Sequence, residues 1–143
     1  MFNASYATAS SPGLRFAGEY RQVGAQTMVA GASSHHLVAL LFDAFVAAVN
    51  RARGAIRGRD IEAKGRAIAQ ASRIVEEGLR AGLNLDAGGQ LAADLNELYG
   101  YIGRRLMQAN LRSDEPALEE CLRLVQPLRD AWESIGGSAA ARN

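Results

Sequence analysis

The sequence predicts an all-α fold, an antiparallel up-down four-helix bundle, and three observations carry that prediction. An alanine-rich composition with 6% aromatic residues favours closely packed helices over a sandwich of β-branched and aromatic strands. Apolar residues recur every three or four positions along four long segments. The joints between these segments span about three to six residues, which favours antiparallel neighbours. With 143 residues, 48% of them hydrophobic, the chain can build one core in one domain.

The elements follow in order. Residues 1–17 are rich in Ser, Ala, Gly and Thr around Pro12-Gly13 and read as a flexible tail ahead of a helical domain at 18–135. A short patterned piece follows, with Tyr20, Val23 and Met28 as its apolar members. Ser33 or Ser34 caps the first long helix, which runs to about Arg57 and is ended by Gly58. Asp60 caps the second, which ends near Gly82 and turns Ile61, Ile68, Val75 and Leu79 toward the core. The third begins between Asp86 and Gly89 and reaches Asn110, with Leu91, Leu95, Leu98, Ile102 and Leu106 as its stripe. The fourth starts at Ser113 or Asp114, with Pro116 in the first turn where no N–H is needed. Its stripe is Leu118, Leu122, Val125 and Trp132, and it is expected to end by Gly136-Gly137, leaving 136–143 as a second flexible tail. Pro127 lacks an N–H and crowds the carbonyl of Arg123, which predicts a kink or a break.

The first long helix carries more apolar surface than one core face uses. From Leu37 to Val49 its large apolar side chains cover roughly 240° of the circumference, against roughly 100° for an ordinary surface helix. Leu37, Leu41, Ala44, Ala48 and Ala52 form one stripe and read as core. Val38, Phe42, Phe45, Val46 and Val49 form an adjoining stripe that calls for another cover. The N-terminal segment, a second subunit or a foreign peptide could supply it, and a peptide groove is the preferred reading.

Several function classes find no support. Sixteen basic and fifteen acidic residues nearly cancel, which gives no electrostatic reason for nucleic acid or an anionic membrane as the main partner. The N-terminal residues lack the basic and apolar regions of a signal peptide, and no run approaches a bilayer span, so a cytoplasmic protein is expected. His35-His36 lacks the further ligands of a metal site, and adjacent helical residues point about 100° apart. An exposed phosphotransfer histidine would sit mid-helix, whereas these lie at a helix start. Gly88-Gly89 lacks the Lys-Ser/Thr continuation of a phosphate loop, and Arg104-Arg105 reads as a rim charge pair. Cys121 has no histidine placed to activate it and reads as a small apolar filler. No enzyme, cofactor or metal is therefore expected.

A family resemblance then emerges from specific residues: Tyr20-Arg21-Gln22-Val23, His36 to Asp43, Gly78-Leu79-Arg80, the run Leu98 to Asn110, Leu111-Arg112-Ser113-Asp114, and Asp130-Ala131-Trp132. In this order and spacing, over about residues 18 to 135, the chain resembles the flagellar secretion chaperones of the FliS family. The resemblance implies a four-helix bundle with a short N-terminal capping helix, serving as a chaperone. Such a protein binds the C-terminal segment of flagellin, keeps it from polymerising and passes it to a type III export apparatus. The resemblance also implies docking on the export-gate protein FlhA near the residue matching Tyr20, which places Phe16, Ala17 and Tyr20 as gate contacts. Ser34 stands where the family commonly has proline, and the N-terminal tail is longer than the family's.

Groove and resemblance together name an expected flagellin-binding set: Tyr20, Val23, Leu37, Leu41, Phe42 and Phe45, with Tyr99, Ile102, Leu106 and Asn110. Asp43 and Arg105 are expected as rim or polar anchors. The piece from Tyr20 to Met28 is expected to plug the groove until a client arrives, which lowers apparent affinity but shields apolar surface. A monomer or weak homodimer is expected. A homodimeric structural bundle and a histidine phosphotransfer bundle stand as alternatives.

Overall fold

The computed structural model describes residues 34–142, and side chains as far as Gly136. Four helices make up this span: α1 (Ser34–Arg57), α2 (Ile61–Arg73), α3 (Gly89–Arg112) and α4 (Glu115–Arg142). Directly continuing α2 is a π-helical segment, Ile74–Arg80. The short piece around Tyr20, Val23 and Met28, the gate residues Phe16 and Ala17, the expected tail at 1–17 and the candidate cap Ser33 all lie outside the described residues.

Every neighbouring pair is antiparallel, as cross-helix pairs show. Arg53 near the end of α1 meets Glu115 and Glu119 at the start of α4, while His35 at the start of α1 meets Trp132 far along α4. Arg51 reaches Gln70 across α1 and α2. Arg80 reaches Asn96 on α3, and Arg105 reaches Glu120 on α4. The expected up-down bundle is what forms.

The joints explain how the chain reverses. At residues 58–60 the Asp60 amide bonds to the Ala55 carbonyl at 2.9 Å and the Arg59 amide to Ile56 at 3.1 Å, the paired bonds of a Schellman turn. The left-handed position of that turn falls on Arg59, at φ 56°, one residue beyond the glycine that the sequence offers for it. Asp60 then caps α2, its carboxylate accepting from the Ala63 amide at 3.0 Å. At the third joint Ser113 is left-handed, at φ 50°, and Asp114 accepts from the Ala117 amide. Between the π segment and α3, the side chain of buried Asn84 accepts from the Ala87 amide at 3.1 Å. That bond ties down the start of α3, where Gly88 has no side chain to do so.

Burial shifts the reading of α1. Ala48 and Ala52 are core as expected, and Val38, Phe42, Phe45 and Val49 are sealed beside them, whereas Leu37, Leu41, Ala44 and Val46 are half-buried. Four of the five residues expected to need another cover therefore lie inside. The two stripes adjoin, so periodicity measures the width of the apolar arc without fixing where its centre points. The π segment covers part of the remainder. A Cβ on Gly78 would lie 2.9 Å from Leu41 Cδ2, so the missing side chain there is what admits Leu41. Ile61, expected in the α2 stripe, is exposed because it is the first helical residue and lies at the end of the bundle.

The last helix also differs from expectation. It runs unbroken through Pro127 and past Gly136-Gly137 to Arg142. Pro127 is exposed, as is Arg123, so the carbonyl that loses its amide partner can bond to water. Beyond the proline, α1 holds the helix. Arg129 donates to Asp43 at 2.7 Å, and the His35 ring stacks on Trp132 at 4.8 Å between centroids and 4° between planes. The Trp132 Nε1–H donates to the His35 carbonyl at 2.9 Å, and His35 Nε2 bonds to the Trp132 carbonyl at 2.6 Å. Gly136 is what makes room, since a Cβ there would overlap the imidazole.

Two substitutions test this account by thermal and denaturant unfolding. Arg59→Gly removes the left-handed strain and is expected to raise stability by about 0.5–1 kcal/mol. Gly136→Ala drives a methyl into the His35 ring and is expected to lower it by about 1–3 kcal/mol.

Candidate functional site

Large apolar side chains that remain exposed are unevenly distributed. They are Leu40 on α1 (46%), Ile61 on α2 (74%), Leu85 in the second joint (54%), and Met107 (64%) and Leu111 (78%) on α3. Among the described residues α4 has none. Its flanks are instead closed by polar pairs. Arg53 and Arg57 grip Glu115, Arg129 grips Asp43, and Arg105 and Tyr101 share Glu120 at 2.6 and 2.7 Å. The α4 seams are thus closed by polar pairs, while the exposed large apolar side chains are spread over α1, α2, the second joint and α3.

One strip of α3 is unusual. At 100° per residue Gly100, Gly103, Met107 and Leu111 fall within one arc of roughly 80°. The glycines serve the crossing of α3 by the π segment. A Cβ on Gly100 would lie 3.2 Å from the Arg80 guanidinium, and one on Gly103 would lie 3.3 Å from a Glu76 carboxylate oxygen. Arg80 lies over α3, bonded to Asn96 at 2.8 Å and Glu76 at 3.0 Å. Beside this crossing is an open concavity of about 570 Å³, lined by Arg80, Asp94, Asn96, Glu97, Tyr101 and Arg104 among others. The Arg104 guanidinium stands 5.8 Å from the Tyr101 ring centroid.

The expected site residues do not form one surface. Phe42, Phe45, Tyr99, Ile102 and Leu106 come together, but in the core and without exposure. As groove-lining residues they are corrected by the same shift that turned α1, because a sealed side chain cannot line an open furrow. Leu37 and Leu41 flank Leu40 on the half-buried edge of α1, and Asn110 is exposed on α3. Asp43 and Arg105, expected at the rim, are both paired with α4. Tyr20 and Val23 lie outside the described residues. Met107 and Leu111 were absent from the expected set, although a signal existed: both point more than about 100° away from the Leu95–Ile102–Leu106 stripe.

Chemistry at the polar positions is structural in character. Burial pushes the Cys121 thiol up to about 12, so at neutral pH it is a protonated filler. The His35 ring is held between the Trp132 indole and carbonyl. Donation from Tyr101, and then the pairing with Arg105, holds the Glu120 carboxyl below the usual carboxylate range, while burial opposes them. Glu120 in turn raises Tyr101 and Arg105, in each case chiefly through the hydrogen bond.

The family model described as Flagellar protein FliS matches residues 16–139. The chain belongs to the FliS family. It is 43% identical over 121 residues to the flagellar secretion chaperone FliS of Salmonella typhimurium, covering 85% of this chain and 90% of that protein. It is 39% identical over 114 residues to the Escherichia coli protein of the same name, covering 80% and 84%. The Bacillus subtilis FliS is 31% identical over 108 residues, covering 76% and 79%. Much of the FliS-like run from Leu98 to Asn110 now has an architectural meaning: Tyr99, Ile102, Leu106 and Ala109 fill the core, Gly100 and Gly103 admit the π segment, and Tyr101 and Arg105 clasp α4.

The clasp gives this FliS-family bundle a predictable acid response. Glu115 and Glu120 are both held below their ordinary value of 4.5, so their pairs stabilise the fold above that pH. The contribution is lost as pH falls through the depressed folded-state values. Glu120→Gln is expected to be less stable than wild type near pH 7 and to lose less on acidification to about pH 3; denaturant midpoints across that range check both.

Proposed function

We propose that this protein is a cytoplasmic export chaperone for flagellin, binding the C-terminal segment of a newly made subunit. It holds that segment unpolymerised and delivers it to the flagellar type III export apparatus, docking on FlhA. Family membership supports the chaperone role, and the exposed apolar side chains on α1, α2 and α3 support the client surface. The observation that carries the reading is the Met107–Leu111 strip: two large apolar side chains one helical turn apart and mostly exposed. Amphipathic helices are recognised by anchors at this spacing.

The residues divide by depth. Leu40, Met107 and Leu111 would meet the client directly, with Leu37, Leu41 and Asn110 at the edges. Phe42, Phe45, Tyr99, Ile102 and Leu106 would shape that surface from beneath, and Asp43 and Arg105 would fix α4 behind it. Tyr20 and Val23 would cover the apolar face before a client arrives, and Phe16, Ala17 and Tyr20 would contact the gate. No helix of the described span is long and apolar enough to cross a membrane, which agrees with a partner met in solution.

The test is binding of a peptide spanning the C-terminal helices of flagellin, measured by calorimetry. Met107→Asp with Leu111→Asp is expected to weaken binding at least ~30-fold, since each buried apolar side chain contributes about 1.5–3 kcal/mol. The unfolding midpoint should hardly move. Undiminished affinity in the folded double variant rules the strip out as the client site.

A further inference from the structure

Among the described residues, one buried cation takes part in no ion pair. Lys64 on α2 is 7% exposed and is the sole lysine among 16 lysine and arginine residues. Among the described residues its ammonium has one partner, the Ser113 hydroxyl, to which it donates at 2.8 Å. An ammonium carries three donors, and burying a charge is costly unless it is paired. Every ion pair recorded among the described residues is made by arginine instead.

Lys64 stands in the wall of a concavity of about 380 Å³ at the end of the bundle where α1 and α3 finish and α2 begins. Ala55, Ile56 and Ile61 give this cavity an apolar side, with exposed Ile61 at its lip. Arg59 and Ser113 complete the wall, and they are the two non-glycine residues with left-handed backbone among the described ones. Asp60 supplies the lining's one carboxylate, and it is engaged with the Ala63 amide. Two cations against one committed anion leave the cavity with a positive balance.

From this arrangement we infer that the cavity binds a carboxylate carried on an apolar stem. The Lys64 ammonium and the Ser113 hydroxyl take the carboxylate, and Ala55, Ile56 and Ile61 pack on the stem. A charge-assisted bond of this kind is short and strong where water is partly excluded. The group can come from the C-terminal residue of a protein chain or from an acidic side chain, and both present the same chemistry.

The cavity shares no lining residue with the Met107–Leu111 strip, although Ile61 at its lip belongs to the exposed apolar set, and its test uses no flagellin. The whole, isotope-labelled protein is titrated with N-acetyl-leucine, N-acetyl-leucinamide and the α-amide of N-acetyl-glutamate, following backbone amide resonances. N-acetyl-leucine is expected to shift Ala55, Ile56, Ile61 and Ser113 saturably by about 10 mM, as befits a small ligand. The uncharged leucinamide should bind at least ~10-fold more weakly, the size of one charge-assisted bond. Lys64→Met, which keeps the stem, should lose the preference for the carboxylate. The tighter of the two carboxylates identifies the source, main-chain terminus or side chain. Equal response to leucine and leucinamide, no saturable shift, or an unchanged preference in Lys64→Met overturns the inference and leaves Lys64 as a cap on the carbonyl end of α3.

Discussion

The bundle depends on how closely one segment approaches two others. The π-helical continuation of α2 must lie against α1 on one side and α3 on the other, and three glycines set both distances. Gly78 admits Leu41 of α1, while Gly100 and Gly103 let Arg80 and Glu76 lie over α3. A methyl at any of the three would displace the side-chain tip that now lies there, Leu41, Arg80 or Glu76. With the approach in place, Phe42, Phe45, Tyr99 and Ile102 share one dry interior. The wider π turn is a local departure from regular geometry, of the kind often found where a helix serves more than packing.

A second consequence is an asymmetry in what each flank offers to a partner. Bonds among Arg53, Arg57, Arg105, Arg129, Tyr101 and their carboxylates fasten α4 to both neighbours. Such exposed pairs contribute modestly to stability, but they occupy the polar groups and orient the long side chains along the seams. On α3, Met107 and Leu111 are instead exposed, and Arg80 lies over Gly100. On the proposed reading, a client segment would meet apolar anchors on α3 and a charged perimeter along α4.

Four helices, their antiparallel order and the Asp60 cap were legible in the sequence, because 3.6-residue periodicity and capping chemistry are local properties. The FliS-like run from Leu98 to Asn110 was equally plain. What local patterns could not give is orientation about a helix axis. On α1 the apolar arc is wide, and its centre lies at Val38, Phe42 and Phe45 rather than at Leu37 and Leu41. Ile61 fits its stripe in phase but lies past the end of the core, and phase carries no information about ends. Nor does composition announce a π turn, which depends on what Leu41 and Arg80 find when the helices dock. The left-handed residue falls on Arg59 because the hydrogen bonds from Asp60 and Arg59 fix the turn's register, and Gly58 sits one place too early. For the candidate site, the surplus of oil was readable and its address was not.

The pairing of His35 with Trp132 has an optical consequence. Trp132 is the chain's single tryptophan, so the indole emission of the whole molecule arises where the first turn of α1 meets the far part of α4. An imidazole stacked face to face on an indole is well placed to quench it. The protein therefore carries its own fluorophore at the base of the N-terminal segment, and its brightness reports whether that corner is latched or sprung.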